Sequence, residues 1–186
     1  LKRAAVLGDP EAMWRVSFSY MSGVENDQNK TKAFDLLKGS AEKKYLPSYY
    51  DLALSYMWGN GVEQNAKEGI RWMQKSATEA NDARAMESLA QILIEFRAGY
   101  LTQVQVLDSI ESGVELRKKA AELGNSAAQL NLFVQYYNGT HVPANKTEAI
   151  KWLKASAENG NPGAQFTLAK QYFNGWDVPK DQEKGV

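Results

Sequence analysis

Small residues recur along this chain at a fixed spacing. Ala5, Ala41, Ala77, Ala121 and Ala157 stand 36, 36, 44 and 36 residues apart, and each follows another small residue: Ala4, Ser40, Ser76, Ala120 and Ser156. A second register, Ala12, Ser48, Ala85, Ala128 and Ala164, runs at intervals of 36, 37, 43 and 36. Two independent anchors therefore report one unit of about 36 residues. A period of this length restricts a fold severely, because each unit can bury its apolar face only against its sequence neighbours.

Each unit reads as two helices. The first carries an aliphatic residue four places past its anchor (Val16, Leu52, Leu89, Leu132, Leu168), and in four of five copies an aromatic four places later (Tyr20, Tyr56, Tyr136, Tyr172). Steps of four keep all three on one helical face. The second helix repeats a small residue (Ala33, Gly69, Gly113, Ala149), an apolar one next to it, and a large apolar one two further on (Leu36, Trp72, Leu116, Trp152). Short side chains at both anchors let helix axes approach closely, so successive hairpins can nest.

The boundaries agree with the period. Asp9, Asp82, Asn125 and Asn161 precede the first helices, and Asn29, Asn65, Asn145 and Asp181 the second, all types that accept a hydrogen bond from an opening turn. Pro10 and Pro162 suit the first helical position. Glu68 and Glu148 lie three residues past their caps, the spacing of a capping box. Gly8, Gly124 and Gly160 suit the left-handed residue that ends a helix. The predicted units are 1–8 (partial), 9–44, 45–80, 81–124, 125–160 and 161–186 (partial), forming one array of antiparallel helix pairs.

Gly59-Asn60-Gly61-Val62, followed by Asn65, Trp72 and the Ser76-Ala77 pair, with Leu132 and Leu168 in the core positions, resembles the Sel-1-like repeat of the tetratricopeptide-like superfamily. The resemblance covers nearly the whole chain and implies an all-α fold, a right-handed α-α superhelix whose first helices line the inner surface. At the second loop glycine, seen as Gly61, the other units carry Glu25, His141 and Asp177. His and Asp tolerate a left-handed backbone, so His141 and Asp177 are expected to keep it. Glu25, with Asn26 in the place of Val62, predicts a first loop of different shape.

The third unit is irregular. Phe96 replaces the loop glycine, about eight residues are added before Gly113, and Leu101, Val104, Leu107, Ile110 and Val114 keep helical spacing. A second helix lengthened by about two turns and capped by Thr102 is expected there. Both ends fall inside repeats, so the chain is expected to belong to a longer array.

Composition narrows the chemistry. With 22 basic and 22 acidic side chains the formal charge is zero, and no clustered basic face marks a nucleic-acid or anionic-membrane surface. There is no cysteine, hence no disulfide, thiol nucleophile or cysteine-bound metal. A single histidine, His141, offers imidazole catalysis but sits in a loop at a glycine-equivalent position. No phosphate loop, hydrolase elbow, metal spacing, membrane span or leader pattern is read, and no cofactor is expected. Charged runs such as Glu42-Lys43-Lys44 and Arg117-Lys118-Lys119 read as solvated faces. Three Asn-x-Thr sequons, at Asn29, Asn138 and Asn145, leave glycosylation in a eukaryotic lumen open.

Since packing dictates the recurring positions, recognition belongs where corresponding residues differ. Successive turns of the first helices read Arg15, Asp51, Ser88, Asn131, Thr167; then Ser19, Ser55, Ile92, Gln135, Gln171; then Ser22, Trp58, Glu95, Asn138, Asn174. The candidate partner-binding residues are Arg15, Asp51, Trp58, Glu95, Asn131, Gln135, Asn138, Gln171 and Asn174. Trp14, Trp58 and Trp176 do not recur, and Trp58 is the best single anchor.

The predicted function is a non-catalytic scaffold or regulator that binds another protein through the inner face. The resemblance implies adaptors, enzyme regulators and bacterial immunity proteins, in a periplasmic or secreted setting, with cytoplasm and endoplasmic reticulum as alternatives. A peptidoglycan- or β-lactam-processing enzyme and a structural subunit of a larger assembly are the competing readings.

Overall fold

The computed structural model of the chain describes residues 1–22, 29–95 and 110–185, and for residues 95, 110 and 111 the backbone alone. The described residues are helical, without a strand. In chain order the helices are α1 (Lys2–Val6), α2 (Pro10–Ser22), α3 (Lys30–Glu42), α4 (Ser48–Trp58), α5 (Ala66–Glu79), α6 (Ala83–Glu95), α7 (Ile110–Glu122), α8 (Ser126–Asn138), α9 (Lys146–Glu158) and α10 (Pro162–Asn174). They gather into two compact units, one on Leu1–Ala85 and the other on the described residues from Met86 onward.

Within each unit the helices pack on their chain neighbours: α2 with α3 and α4 with α5 in the first, α8 with α9 in the second. The first unit buries Ala12, Val16, Ala33, Phe34, Leu37, Tyr49 and Leu52, and the second Leu132, Phe133, Ala149, Ile150, Leu153 and Ala164. The recurring serines do more than stay small. Ser40 Oγ donates to the Pro10 carbonyl at 2.7 Å, and Ser156 Oγ to the Ser126 carbonyl at the same distance, tying the end of one helix to the start of its hairpin partner.

Helix ends explain the paired small residues further. The N–H groups of Asp9, Tyr45, Asn125 and Asn161 donate to the carbonyls of Ala4, Ser40, Ala120 and Ser156, closing the preceding helix with a six-to-one bond, while the Asp82 N–H reaches one residue further back, to the Ser76 carbonyl. That closure needs a left-handed residue just before. Gly8, Gly124 and Gly160 supply it at φ 85°, 87° and 81°, while Lys44 (61°) and Asn81 (50°) take the same conformation without the glycine advantage.

The side-chain caps are in place: Asp9 accepts from Ala12 N, Asn29 from Lys32 N, Asn65 from Glu68 N, Asn125 from Ala128 N, Asn145 from Glu148 N, Asn161 from Ala164 N and Asp181 from Lys184 N. The reciprocal half of the expected capping box is not what satisfies the cap amides. Asn65 N and Asn145 N donate instead to the carbonyls of Tyr56 and Tyr136, so Glu68 and Glu148 turn outward to Arg71 and Lys151.

Two loop expectations separate. His141 takes φ 63° as expected, but Asp177 is not left-handed. Its backbone N–H donates to Gln171 Oε1 at 3.1 Å, and its carboxylate accepts from Tyr137 Oη (2.9 Å) and Lys146 Nζ (2.8 Å), which hold the loop another way. Glu25 and the proposed extension with Thr102 lie outside the described residues. The described part of α7 starts at Ile110.

Candidate functional site

In the first unit α2 and α4 lie on the same side of the core, and their variable positions form a notch of about 230 Å³. Phe18 and Met21 contribute from α2; Asp51, Leu54 and Trp58 from α4; Asn60 from the loop that follows. Gly59, left-handed at φ 68°, ends α4 directly after Trp58, so the indole stands at the last turn of the helix. It is 68% exposed. Drug-sized ligands occupy some 300–1,000 Å³ and a benzene-sized group about 150 Å³, so the notch matches one side chain of a partner better than a metabolite.

Asp51 is the one charged residue of its lining. One of its oxygens accepts from Trp14 Nε1 at 2.8 Å, a bond between the first two repeats. Trp14 is held for that bond by Phe18, edge-on at 5.2 Å, and by Tyr45 at 5.7 Å. Trp14, expected with Trp58 and Trp176 as a free anchor, is thus a half-buried strut. Burial pushes the Asp51 carboxyl above its ordinary value, against the Trp14 hydrogen bond and the charge of Arg84. Arg84 itself is engaged by Asp82 at 2.7 Å and lies over the Tyr50 ring. Arg15 is exposed and pairs with Glu11 on its own helix.

The second unit treats its candidates differently. Asn131 donates to Glu87 Oε1 at 2.8 Å, and Glu87 is paired at 3.0 Å with Arg117, a residue 2% exposed. Arg117, read from its neighbours as a solvated charge, is a core residue. It occupies the place of Leu37, Met73 and Leu153 in the other repeats, as Glu87 occupies that of Trp14, Tyr50, Leu130 and Phe166. The alignment of positions was the available signal.

Gln135 and Gln171 are 4% exposed, so they are interior residues and present no surface to a partner. Gln171 holds the loop through Asp177 N, whereas the Gln135 amide makes no hydrogen bond, its own loop following the left-handed path of His141. Asn138 and Asn174 are exposed at the last turn of α8 and α10, and Asn174 Nδ2 bonds back to the Lys170 carbonyl. The Glu95 side chain lies outside the described residues. Sequence reasoning missed Phe18, Met21 and Leu54 as walls of the notch. Phe18 and Leu54 do belong to a variable column that continues with Gln91, Val134 and Lys170.

A groove of about 780 Å³ runs along α9 in the second unit, lined by Lys146, Ile150, Lys151, Lys154 and Asp177 among others. Lys146 and Lys151 are neutralised by Asp177 and Glu148. Among the described residues no group of three His, Asp or Glu side chains is placed to hold a metal ion, and no helix is long and apolar enough to cross a membrane.

The Sel1 repeat profile matches residues 10–45, 46–81, 84–125, 126–161 and 162–186. The chain belongs to the Sel1 repeat family. Its fold matches a Sel1 repeat protein from Oxalobacter formigenes, with a TM-score of 0.82 and 27% identity over 96% of this chain and 70% of that one. It also matches a protective antigen of uropathogenic Escherichia coli with an SLR fold, at a TM-score of 0.80 and 26% identity over 99% of this chain and 39% of that one. An immunity protein from Pseudomonas aeruginosa shares the fold at a TM-score of 0.66 and 22% identity, over 99% of this chain and 66% of that one. In sequence the chain is 30% identical to Protein SHC1 of Saccharomyces cerevisiae over 83 residues, which are 45% of this chain and 16% of the yeast protein. It thus spans a small part of that relative's length. Sel1 repeat proteins are generally non-catalytic adaptors that bind other proteins.

Proposed function

We propose that this Sel1 repeat protein is a non-catalytic regulator that binds a partner protein through the first-helix face carrying Trp58, as an adaptor or as an immunity protein that occludes an effector. The observation that carries this reading is Trp58 itself, a 68% exposed indole at a position filled by Ser22, Asn138 and Asn174 in sister repeats. A large aromatic left in water beside an apolar notch is costly to the free protein and typical of interface anchors. Arg15, Asn138 and Asn174 are exposed on the same class of helix and supply polar surroundings in their own units.

The test starts from a partner identified by proximity labelling and mass spectrometry, then purified. Trp58→Ala is expected to weaken its binding by about 30-fold in calorimetry, the size of a 2 kcal/mol hot spot. The melting temperature should stay within a degree or so, since little of this side chain is buried. Undiminished binding by the variant rules the surface out.

A further inference from the structure

The notch beside Trp58 is not uniformly apolar, and the carboxylate in its lining specifies what can enter it. Phe18, Met21, Leu54 and Trp58 line it together with Asp51, its one charged member. One Asp51 oxygen is taken by Trp14 Nε1, and the other accepts no hydrogen bond from the described residues. No nearby cation bonds to it: Arg84, whose charge reaches Asp51, is held by Asp82, and Arg15 by Glu11. An apolar occupant would strip water from this carboxylate and return nothing. A carboxylate or phosphate would meet it as a like charge.

Resting on the partner-binding reading above, we propose that the notch receives an arginine side chain of the partner, its stem against Trp58 and Phe18 and its guanidinium on Asp51. Asp51 and Trp58 are seven residues apart on one helix, a separation of about 10 Å along the axis. A backbone lying over the indole can therefore pass an extended arginine down the notch to the carboxylate. The methylene stem buries against the apolar walls and the Trp58 ring, and a charge-assisted hydrogen bond to Asp51 replaces lost hydration. Because the chain carries no net charge, this preference is local and owes nothing to long-range attraction.

The experiment uses isotope-labelled full-length protein and three peptides identical except at the centre: acetyl-Ala-Leu-X-Leu-Ala-amide with arginine, citrulline or glutamate as X. The indole N–H signals of Trp58, Trp14 and, as an exposed control, Trp176 are followed by NMR up to about 10 mM peptide, a range that captures millimolar affinity. The arginine peptide is expected to shift Trp58 and Trp14 saturably and leave Trp176 in place, with citrulline at least tenfold weaker and glutamate inert. Asp51→Asn, which keeps an acceptor for Trp14, should lose the arginine preference while the protein stays folded. Equal response to arginine and citrulline, an unchanged preference in Asp51→Asn, or no saturable shift overturns the inference. With the identified partner, binding lost in Trp58→Ala but kept in Asp51→Asn leaves the functional reading standing and removes this one. Binding kept in both variants removes both.

Discussion

Lys44 shows how much one backbone angle can matter. It stands where Gly8, Gly124 and Gly160 close their helices, and its φ of 61° places a side chain in a region that costs an L-residue roughly 1–2 kcal/mol. Lys44→Gly is expected to raise unfolding free energy by about 1 kcal/mol in urea titration, part of the relief being returned as chain entropy. Gly61 is the opposite case. At φ 78° an added Cβ would lie 1.9 Å from the Lys30 carbonyl oxygen, so both conformation and space exclude it. Gly61→Ala should lower the urea midpoint by an amount equivalent to more than about 2 kcal/mol.

Asp51 carries a testable cost. Burial raises its carboxyl above the ordinary value, so the native state binds that proton more tightly than the unfolded chain does. Ionisation at neutral pH consequently opposes folding, and the penalty disappears as the pH falls through the raised native value. Asp51→Asn keeps the acceptor for Trp14 Nε1 and loses the charge. Its melting temperature should exceed that of the parent protein at pH 7, and the two should converge below about pH 3, where the carboxyl is protonated in both states. A side chain that weakens the free protein yet is needed for binding is the signature of a recognition residue.

At the scale of helices, the contact between α6 and α7 departs from the rest of the array. Other repeats place apolar side chains where Glu87 and Arg117 form a buried pair supported by Asn131. Removing one partner strands a charge in the core, so Arg117→Ala should cost about 3–5 kcal/mol by chemical denaturation. The double replacement Glu87→Leu with Arg117→Leu, which copies the sister repeats, should recover most of that loss or exceed the parent. The pair flanks the longest spacing between anchors. The helix caps follow an opposite logic: they repeat because every first turn has the same unmet amides.

For the whole molecule, neighbour-only packing makes stability local. In hydrogen exchange with mass spectrometry, Arg117→Ala should therefore accelerate exchange in α7, α8 and α9 well before α2 and α3 respond. Uniform acceleration across all helices would show a cooperativity that contacts between neighbouring repeats do not provide.

The period, the helix pairing, the caps and the core stripes were legible in the sequence because each arises from local geometry repeated five times: a 3.6-residue turn, a free amide, a close crossing. The exposure of Trp58 was legible for the converse reason, as a departure from the repeat. Position alone could not show which variable residues face water. Gln135 and Gln171 looked like surface amides and are interior, since the loop after each first helix folds back over them. Arg117 looked solvated and is buried, since its carboxylate partner lies thirty residues away in the chain. That Asp51 is bonded by Trp14 of the preceding repeat and shares a notch with Phe18 and Trp58 emerged only from the packed structure. Periodicity encodes what every unit shares, whereas the pairing of unlike side chains across units exists only in the packed structure.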